Sequence, residues 1–317
     1  MARMSLSSVP DRSSLSAFAR FFPENIRTIA VVAPASPAAD SDAATRFLSE
    51  LSQTGIEVRV MPNTRVGEPG GAYSSIDVSL RASDLEKAWL DPDVQLILPV
   101  RGGGGGRELL EALDWELLRR RPGMMVLGFS DLTLLHSAML AKHCGRPVAT
   151  TTLMGIPSAT ADSIDSCRRA LAGMASPPYA LTSLRTGFAR GLVFGAHLQR
   201  LASLVGSPYL ADLTGRVVFL ECPHRMENQI SELFQVLVDA GVFRKAAAIV
   251  FGQFPDCSSD EAVRAMLENL STRVECPVFA GFPFGHTSRL HALDSSATAV
   301  IDASGVLRIM PGPLVDA

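Results

Sequence analysis

The chain has 317 residues and a formal net charge of −3, and 47% of its residues are hydrophobic. This composition is typical of a globular protein and excludes an intrinsically disordered chain, while the slightly acidic balance argues against nucleic acid as a partner. No apolar run approaches the ~18 residues that a membrane-spanning helix needs, so no membrane partner is expected either.

The cysteines and the first residues indicate the compartment. The five cysteines are odd in number, scattered and without a C-x-x-C motif, which favours free thiols in a reducing compartment over a disulfide framework. Residues 1–27 carry four arginines among serines, and Arg20 interrupts the one apolar stretch there. A signal peptide needs an unbroken apolar core. We therefore expect an extra, partly disordered tail at 1–27 and a cytoplasmic protein; a cleaved export signal is the less favoured interpretation.

From residue 28, apolar strand patterns alternate with amphipathic helix patterns. In the first half, strands are expected at Thr28–Val32, Glu57–Met61, Val94–Val100, Met124–Gly128 and Pro147–Thr151. Helices are expected from Asp40 or Ser41 to Gly55, from Ser75 or Asp77 to Leu90, and at Arg107–Leu118 and Asp131–His143. Repeated strand–helix units with apolar strands predict a parallel sheet covered on both faces. Binding sites in such α/β folds lie at the carboxyl ends of the strands.

A composition change marks the middle of the chain. Residues 156–183 are rich in Ser, Ala, Pro and Thr, with one helical pattern at Ser163–Ala172. Beyond them, helices are expected at His197–Val205, Glu227–Ala240 and Asp260–Leu270, and strands at Val217–Glu221, Ala247–Phe251, Ala297–Ile301 and Val306–Ile309. We therefore expect an α/β domain at 28–155, a linker at 156–183 and a second domain at 184–317.

Five glycines, 102–106, follow Arg101 at the end of a predicted strand. Both common phosphate-binding patterns need glycines spanning six positions, and no Lys-Ser or Lys-Thr follows this run. A glycine run of this kind brings backbone N–H groups close to a ligand, as in an oxyanion hole. A flexible turn is the structural alternative.

Ser130 lies in Gly128-Phe129-Ser130-Asp131, between an apolar strand pattern and a helical pattern. Nucleophilic serines of α/β hydrolases are presented on such a strand–turn–helix segment. A serine before a helix is often only a cap, so the partners decide the interpretation. Asp131 is expected to complement the helix dipole and to offer its backbone N–H, not to act as a base.

Glu221 and His286 follow Ser130 in the order serine, acid, histidine. Glu221 ends an apolar strand pattern, where a carboxylate is often just the first exposed residue. His286 lies in a segment without helical or strand period, and a carboxylate paired with it would orient the ring as in other triads. The chain has no H-E-x-x-H motif and no Cys/His cluster, so no metal and no cofactor are expected.

Several short motifs together resemble the LD-carboxypeptidase family of serine peptidases, which includes muramoyltetrapeptide carboxypeptidases and microcin C immunity peptidases. The resemblance covers about Thr28 to Ile309. The matching segments, in chain order, are Val32–Ser36, Arg101–Gly105, Leu113–Trp115, Gly128–Asp131, Leu220–Glu221, Gly241–Phe243, Ile249–Phe254 and Pro283–His286.

The resemblance implies a catalytic triad of Ser130 as nucleophile, His286 as general acid and base, and Glu221 as the orienting carboxylate. It implies an oxyanion hole made by the backbone N–H groups of Gly103 and Asp131. It also implies a flavodoxin-like N-terminal domain, a smaller and more β-rich C-terminal domain, a site between the two, and a homodimer. The expected activity is removal of the terminal D-alanine from murein tetrapeptides in cell-wall recycling.

Three segments depart from the family pattern, and all three are expected near the substrate. Gly195-Ala196-His197-Leu198 stands where the family has Gly-Gly-Asn-Leu, Thr151-Thr152-Leu153 replaces His-Gly-Pro, and the segment after Glu221 is short and keeps only Arg225. Arg101 and Arg225 are candidates for pairing with a substrate carboxylate. The alternative functions are an immunity-type amidase acting on aminoacyl-nucleotide conjugates and a catalytically silent ligand-binding protein.

Overall fold

The computed structural model describes residues 17–38, 41–64 and 77–312 and contains two β-sheets. The first sheet contains β1 (Thr28–Val32), β2 (Glu57–Val60), β3 (Leu96–Pro99), β4 (Met125–Gly128), β5 (Arg146–Ala149) and β12 (Leu293–Asp294). Its strand order is β12-β5-β4-β3-β1-β2, and only the β12–β5 pairing is antiparallel within these residues. The order β2-β1-β3-β4-β5 is the flavodoxin-like order, as expected.

The helices follow in chain order. They are α1 (Ala17–Phe21), α2 (Ser41–Ser52), α3 (Val78–Leu90), α4 (Gly106–Ala112), α5 (Trp115–Leu118), α6 (Leu132–Ala141), α7 (Ala161–Leu171), α8 (Leu198–Ala202), α9 (Glu227–Asp239) and α10 (Asp260–Ser271), with short 3-10 turns at Pro62–Thr64 and Leu153–Ser158. Among the described residues, no helix is both long and apolar enough to cross a bilayer.

Helices cover both faces of the first sheet, as the apolar strands predict. Alternate residues of one strand enter different cores: Ile97 packs with Trp89 of α3, whereas Leu98 packs with Leu51 of α2. All four side chains are fully buried. The central strand β3 is fully apolar because neither of its faces meets water.

The predicted helix at Arg107–Leu118 is wrong in one respect, since it is two helices, α4 and α5. Asp114 stands between them and its side chain accepts a hydrogen bond from the Leu117 backbone N–H (3.0 Å). An aspartate that caps a new helix competes with continuation of the old one. The expected caps at Asp40 and Ser75 lie outside the described residues, and Asp77 is the N-cap of α3.

The second sheet contains β6 (Tyr179–Ala180), β7 (Thr182–Arg185), β8 (Ala189–His197), β9 (Arg216–Glu221), β10 (Ala248–Phe251), β11 (Val278–Ala280), β13 (Thr298–Ile301) and β14 (Val306–Met310). Its order is β6-β14-β13-β8-β9-β10-β11-β7. The central strands β8 to β11 are parallel, and the outer pairings are antiparallel. This sheet is richer in strands than the first, as expected.

Strand β8 was not predicted, although it pairs with both β9 and β13. Two glycines interrupt its apolar pattern, and both permit close approaches that the sequence does not reveal. A Cβ at Gly191 would lie 2.1 Å from the Gly215 carbonyl oxygen, and one at Gly195 would lie 2.8 Å from Leu293 Cδ1. Tertiary packing therefore decides the identity of these residues.

Residues 17–27 of the expected tail belong to the fold, while residues 1–16 lie outside the described part. Phe18 and Phe21 of α1 are fully buried in a core that also contains Ile164 and Cys167 of α7. The segment expected as a linker, 156–183, thus supplies α7 to the first sheet's core, and it also supplies β6 to the second sheet. A domain division within it stays a prediction.

The second half of the chain also contributes a strand to the first sheet, because β12 pairs with β5 at the edge of that sheet. Asp294 of β12 forms a buried ion pair with Arg146 of β5, and both Asp294 oxygens lie 3.1 Å from the arginine Nε. The two halves are therefore held against each other by backbone pairing and by a charge pair.

Candidate active site

Ser130 occupies a sharp turn between β4 and α6. Its φ is 63°, a left-handed conformation that non-glycine residues seldom adopt and that is enriched at functional sites. Gly128 allows the turn, because a Cβ there would lie 2.6 Å from the Leu132 side chain at the start of α6. The turn thus has the strained strand-to-helix geometry that presents nucleophilic serines.

The glycine run packs directly on this turn. A Cβ at Gly102 would lie 3.1 Å from Ser130 Cβ and 3.5 Å from the Asp131 backbone nitrogen. The carboxyl ends of β3 and β4 therefore meet at Gly102 and Ser130, and a larger residue at 102 would press on the serine. The close approach explains why a glycine is needed at this position.

Ser36, which follows β1, holds the glycine run in place. Its backbone N–H donates to the Gly102 carbonyl (3.3 Å), and its Oγ accepts from the Gly104 N–H (3.1 Å). In a trans peptide the C=O of one residue and the N–H of the next point in opposite directions. The Gly103 N–H therefore points away from Ser36, and the Gly103 φ of 109° suits a glycine.

Arg200 of the second half connects the glycine run to Asp131. Its Nη2 donates to the Gly103 carbonyl (3.0 Å), and its Nε lies 3.0 Å from Asp131 Oδ1 without the alignment of a hydrogen bond. Asp131 Oδ2 accepts from the Gly106 N–H (2.9 Å). Burial raises the pKa of the Asp131 carboxyl, and the Arg200 charge opposes that shift.

These contacts leave two backbone donors available. Within the described residues, neither the Gly103 N–H nor the Asp131 N–H donates a hydrogen bond to the protein. Both residues adjoin Gly102 and Ser130, so the pair expected as an oxyanion hole lies beside the serine turn. The sequence does not identify Ser36 and Arg200 as supports of this pair, because both act from distant parts of the chain.

Glu221 and His286 form a hydrogen-bonded pair at the carboxyl end of β9. Glu221 Oε2 lies 2.8 Å from His286 Nδ1, and the Glu221 side chain is fully buried while 26% of the His286 side chain is exposed. Burial raises the pKa of Glu221, and the bond to His286 opposes that shift. A carboxylate only accepts, so Nδ1 carries the proton and His286 Nε2 keeps a lone pair for base catalysis.

The serine turn and the histidine loop pack against each other through Phe129. The Phe129 ring centroid lies 4.4 Å from that of His286 and 5.6 Å from that of Phe284. Phe129 immediately precedes Ser130 in the chain. The structure therefore places the turn that carries Ser130 against the loop that carries His286, where the two halves meet.

His197 lies beside the pair as a second histidine. Glu221 is its partner in the β8–β9 register, and its ring meets that of His286 edge to face at 5.6 Å. Its Nδ1 accepts from the Gln199 backbone N–H (3.2 Å), so it caps α8. Burial, assisted by nearby positive charge, lowers the His197 pKa to about 3. His197 is therefore neutral at physiological pH, with its proton on Nε2.

Two substitutions separate capping by His197 from its contact with His286. We expect His197→Ala to lower the free energy of unfolding by about 1–2 kcal/mol relative to His197→Asn, because asparagine is a good N-cap and alanine is not. Both variants lose the ring that packs on His286, so the kcat of each should be about tenfold lower than that of the wild type. Equal stability of the two variants, or unchanged turnover, would contradict this assignment.

The two candidate arginines have different surroundings. Arg101 Nη2 would lie 3.7 Å from a Cβ at Gly103, and within the described residues its guanidinium forms no ion pair or hydrogen bond. Arg225 Nη1 donates to the His224 carbonyl (2.9 Å), and the Arg225 charge contributes to lowering the pKa of His197. Both cations thus border the site, and Arg101 lies nearer the oxyanion donors.

Two sequence profiles match this chain. The LD-carboxypeptidase N-terminal domain matches residues 29–150, and the LD-carboxypeptidase C-terminal domain matches residues 190–301. A murein tetrapeptide carboxypeptidase of Pseudomonas aeruginosa is 28% identical, over 87% of this chain and 93% of its own length.

Solved structures agree on the fold. A muramoyltetrapeptide carboxypeptidase from Oxalobacter formigenes superposes with a TM-score of 0.78 at 24% identity, covering 90% of this chain and 98% of its own. MccF in complex with glutamyl sulfamoyl guanosine superposes with a TM-score of 0.79 at 20% identity, covering 93% and 99%. At these identities the structures establish a shared fold.

Proposed function

This chain belongs to the LD-carboxypeptidase family, and we propose that it is a serine carboxypeptidase that hydrolyses the L,D bond to the terminal D-alanine of cytoplasmic murein tetrapeptides in cell-wall recycling. The observation that carries the proposal is the 2.8 Å hydrogen bond between Glu221 and His286, next to a serine held in a left-handed turn. A helix cap needs neither feature. Together they are the parts of a nucleophile–base–orienter triad.

The proposed mechanism has two halves. Ser130 Oγ attacks the scissile carbonyl carbon while His286 Nε2 takes the hydroxyl proton. The resulting oxyanion accepts hydrogen bonds from the backbone N–H groups of Gly103 and Asp131. His286 then gives the proton to the leaving amine, and the C–N bond breaks to leave an acyl-enzyme. Water, deprotonated by His286, hydrolyses the ester and restores Ser130. Glu221 stabilises the imidazolium throughout.

Arg101 is proposed to bind a substrate carboxylate. It has no anionic partner among the described residues, it lies at the glycine run, and arginine suits bidentate pairing with carboxylates. Arg225 is the second candidate, although its Nη1 already donates to a backbone carbonyl.

We also propose a homodimer, for which sedimentation of the purified protein is the test.

The alternative is an immunity-type amidase acting on aminoacyl-nucleotide conjugates, and it calls for an aromatic platform for the base. Both tryptophans, Trp89 and Trp115, are buried in the first sheet's core, and Tyr209 packs on Trp115. Tyr73 lies outside the described residues. Neither tryptophan is therefore available as that platform, whereas the Phe129 ring, which packs on His286, borders the site.

A direct comparison of substrates tests the proposal. Purified protein is incubated with murein tetrapeptide and with an acyl-sulfamoyl adenylate, and the release of D-alanine or of the free nucleoside analogue is measured. Release of D-alanine alone supports the carboxypeptidase, and cleavage of the adenylate alone favours the immunity-type amidase. Binding of either compound without turnover favours the silent binding protein.

Activity should survive a strong chelator. Among the described residues, no group of three His, Cys, Asp or Glu side chains is placed to bind a metal ion, and a serine mechanism needs none. We therefore expect less than a twofold change in turnover after dialysis against EDTA (roughly 0.4 kcal/mol in barrier terms). Loss of turnover in EDTA with recovery on adding zinc would replace the serine mechanism by metal-assisted hydrolysis.

A further inference from the structure

A cavity of about 130 Å³ lies against the ring of His286. One side is formed by Phe129 of the serine turn and by the loop that carries His286, including Gly285 and Ser288. The other side is formed by the segment after β5, where Thr151 and Ala159 lie. The cavity therefore adjoins the group that is proposed to protonate the leaving amine.

The chemistry of this cavity suits a small polar molecule. Its described lining contains no Asp, Glu, Lys or Arg, and it combines aromatic and aliphatic groups with several hydroxyls. The hydroxyls of Thr151 and Ser288 make no hydrogen bond within the described residues, in contrast to that of Ser158, which donates to the Gly155 carbonyl (3.1 Å). Two hydroxyls of lining residues are thus without a protein partner within the described part of the chain.

Helix α1 also contributes to the wall of the cavity. Phe21, at the end of α1, is part of the lining and is fully buried, and its ring packs edge to face on Phe22 at 4.9 Å. From the sequence, this region is expected to be an extra tail. The structure makes its last turn a wall of a cavity beside the catalytic histidine.

We propose that this cavity binds the leaving residue and restricts it to small amino acids such as D-alanine; this rests on the proposed serine carboxypeptidase function. The leaving nitrogen must lie within hydrogen-bond reach of His286 Nε2, so the rest of that residue occupies space beside the same ring. A cavity of roughly 150 Å³ accepts benzene, and alanine has the same number of heavy atoms. Thr151 and Ser288 line this cavity, and their hydroxyls are the proposed donors to its carboxylate.

The test uses peptides with one acyl half and a C-terminal glycine, D-alanine, D-leucine or D-phenylalanine. Wild-type enzyme should release glycine and D-alanine, with kcat/KM for D-phenylalanine lower by at least about 100-fold. Ala159→Leu narrows the cavity and should reduce kcat/KM for D-alanine by at least about tenfold, and that for glycine by less. Ala159 has φ −70° and ψ 141°, an extended backbone that leucine also adopts.

Ala161→Leu is the matched control, because Ala161 is exposed at the start of α7 and is not part of the lining. It should behave as wild type. Phe21→Leu enlarges the cavity at the wall formed by α1 and should raise kcat/KM for D-leucine relative to D-alanine by at least about threefold. Labelling of Ser130 by a small fluorophosphonate reports the nucleophile independently of the leaving residue, and it should proceed at the wild-type rate in all three variants.

The outcomes separate this inference from the function on which it rests. If wild-type enzyme releases all four residues equally well, or if Ala159→Leu and Ala161→Leu have the same profile, the cavity does not bind the leaving residue and the carboxypeptidase assignment stands. If wild-type enzyme releases none of them, the proposed function and this inference both fail. Selective loss of D-alanine release in Ala159→Leu with normal fluorophosphonate labelling supports the inference.

Discussion

Ser130→Ala is expected to reduce kcat by about 10³-fold or more while leaving the fold nearly intact. The hydroxyl is the proposed nucleophile, and members of a catalytic triad act as a unit, so loss of one removes most of the covalent route. As a turn or cap residue, the same hydroxyl would contribute at most about 1–2 kcal/mol to stability. Turnover and melting temperature, measured on the same protein preparation, distinguish the two roles.

His286→Ala and the double variant provide the comparison. The kcat of His286→Ala should fall to a similar residual value. The kcat of the double variant should be little lower than that of either single variant, because both substitutions interrupt the same step. If Ser130→Ala keeps more than about a tenth of wild-type turnover, a barrier change of under ~1.4 kcal/mol, the hydrolase assignment built on this turn is wrong. A lowered melting temperature with full turnover would identify Ser130 as a cap.

Glu221→Gln is expected to reduce kcat by about 10²- to 10⁴-fold without destabilising the protein. A glutamine can present either an oxygen or an amide group to His286 Nδ1 and carries no charge, so it neither selects the tautomer nor stabilises the imidazolium. Burial raises the pKa of Glu221, which means that the ionised form opposes folding above the ordinary glutamate pKa. The neutral amide removes that opposition, so the melting temperature at pH 7 should stay the same or rise.

Glu232→Gln is the matched control, since Glu232 is exposed on α9 and distant in sequence from the triad. It should change neither kcat nor melting temperature measurably. Glu221→Gln with wild-type kcat would remove Glu221 from the mechanism. A large loss of stability in Glu221→Gln would instead indicate that the hydrogen bond to His286 mainly supports the fold.

The parallel sheet of the first half could be read from the sequence because its strands are buried on both faces. Strands such as Thr28–Val32 contain only residues that pack well in a dry interior, and the structure gives that strand the same bounds. Local turn chemistry was equally informative at Gly128 and Ser130, where one glycine and one serine mark a strand-to-helix turn. Asp77 was one of two expected caps of α3, and it is the cap observed.

Elements that depend on distant contacts were missed. Strand β8 contains glycines because Gly215 and Leu293 approach its backbone closely. Strand β12 has two residues and exists through its pairing with β5, in which Leu293 pairs with Ala149, 144 positions earlier in the chain. No local periodicity reports such contacts, because periodicity records which side of an element is buried and not what buries it.

The sequence by itself determined the fold class of the first half, the serine turn, the glycine run and the residues expected to form the triad. Tertiary structure alone decided that Ser36 and Arg200 hold the glycine run, that His197 is a neutral neighbour of His286 with a pKa of about 3, and that Phe21 walls a cavity beside it. The physical reason is that strands and turns follow from local sterics and burial. Electrostatic environment and cavity shape instead depend on side chains that only folding brings together.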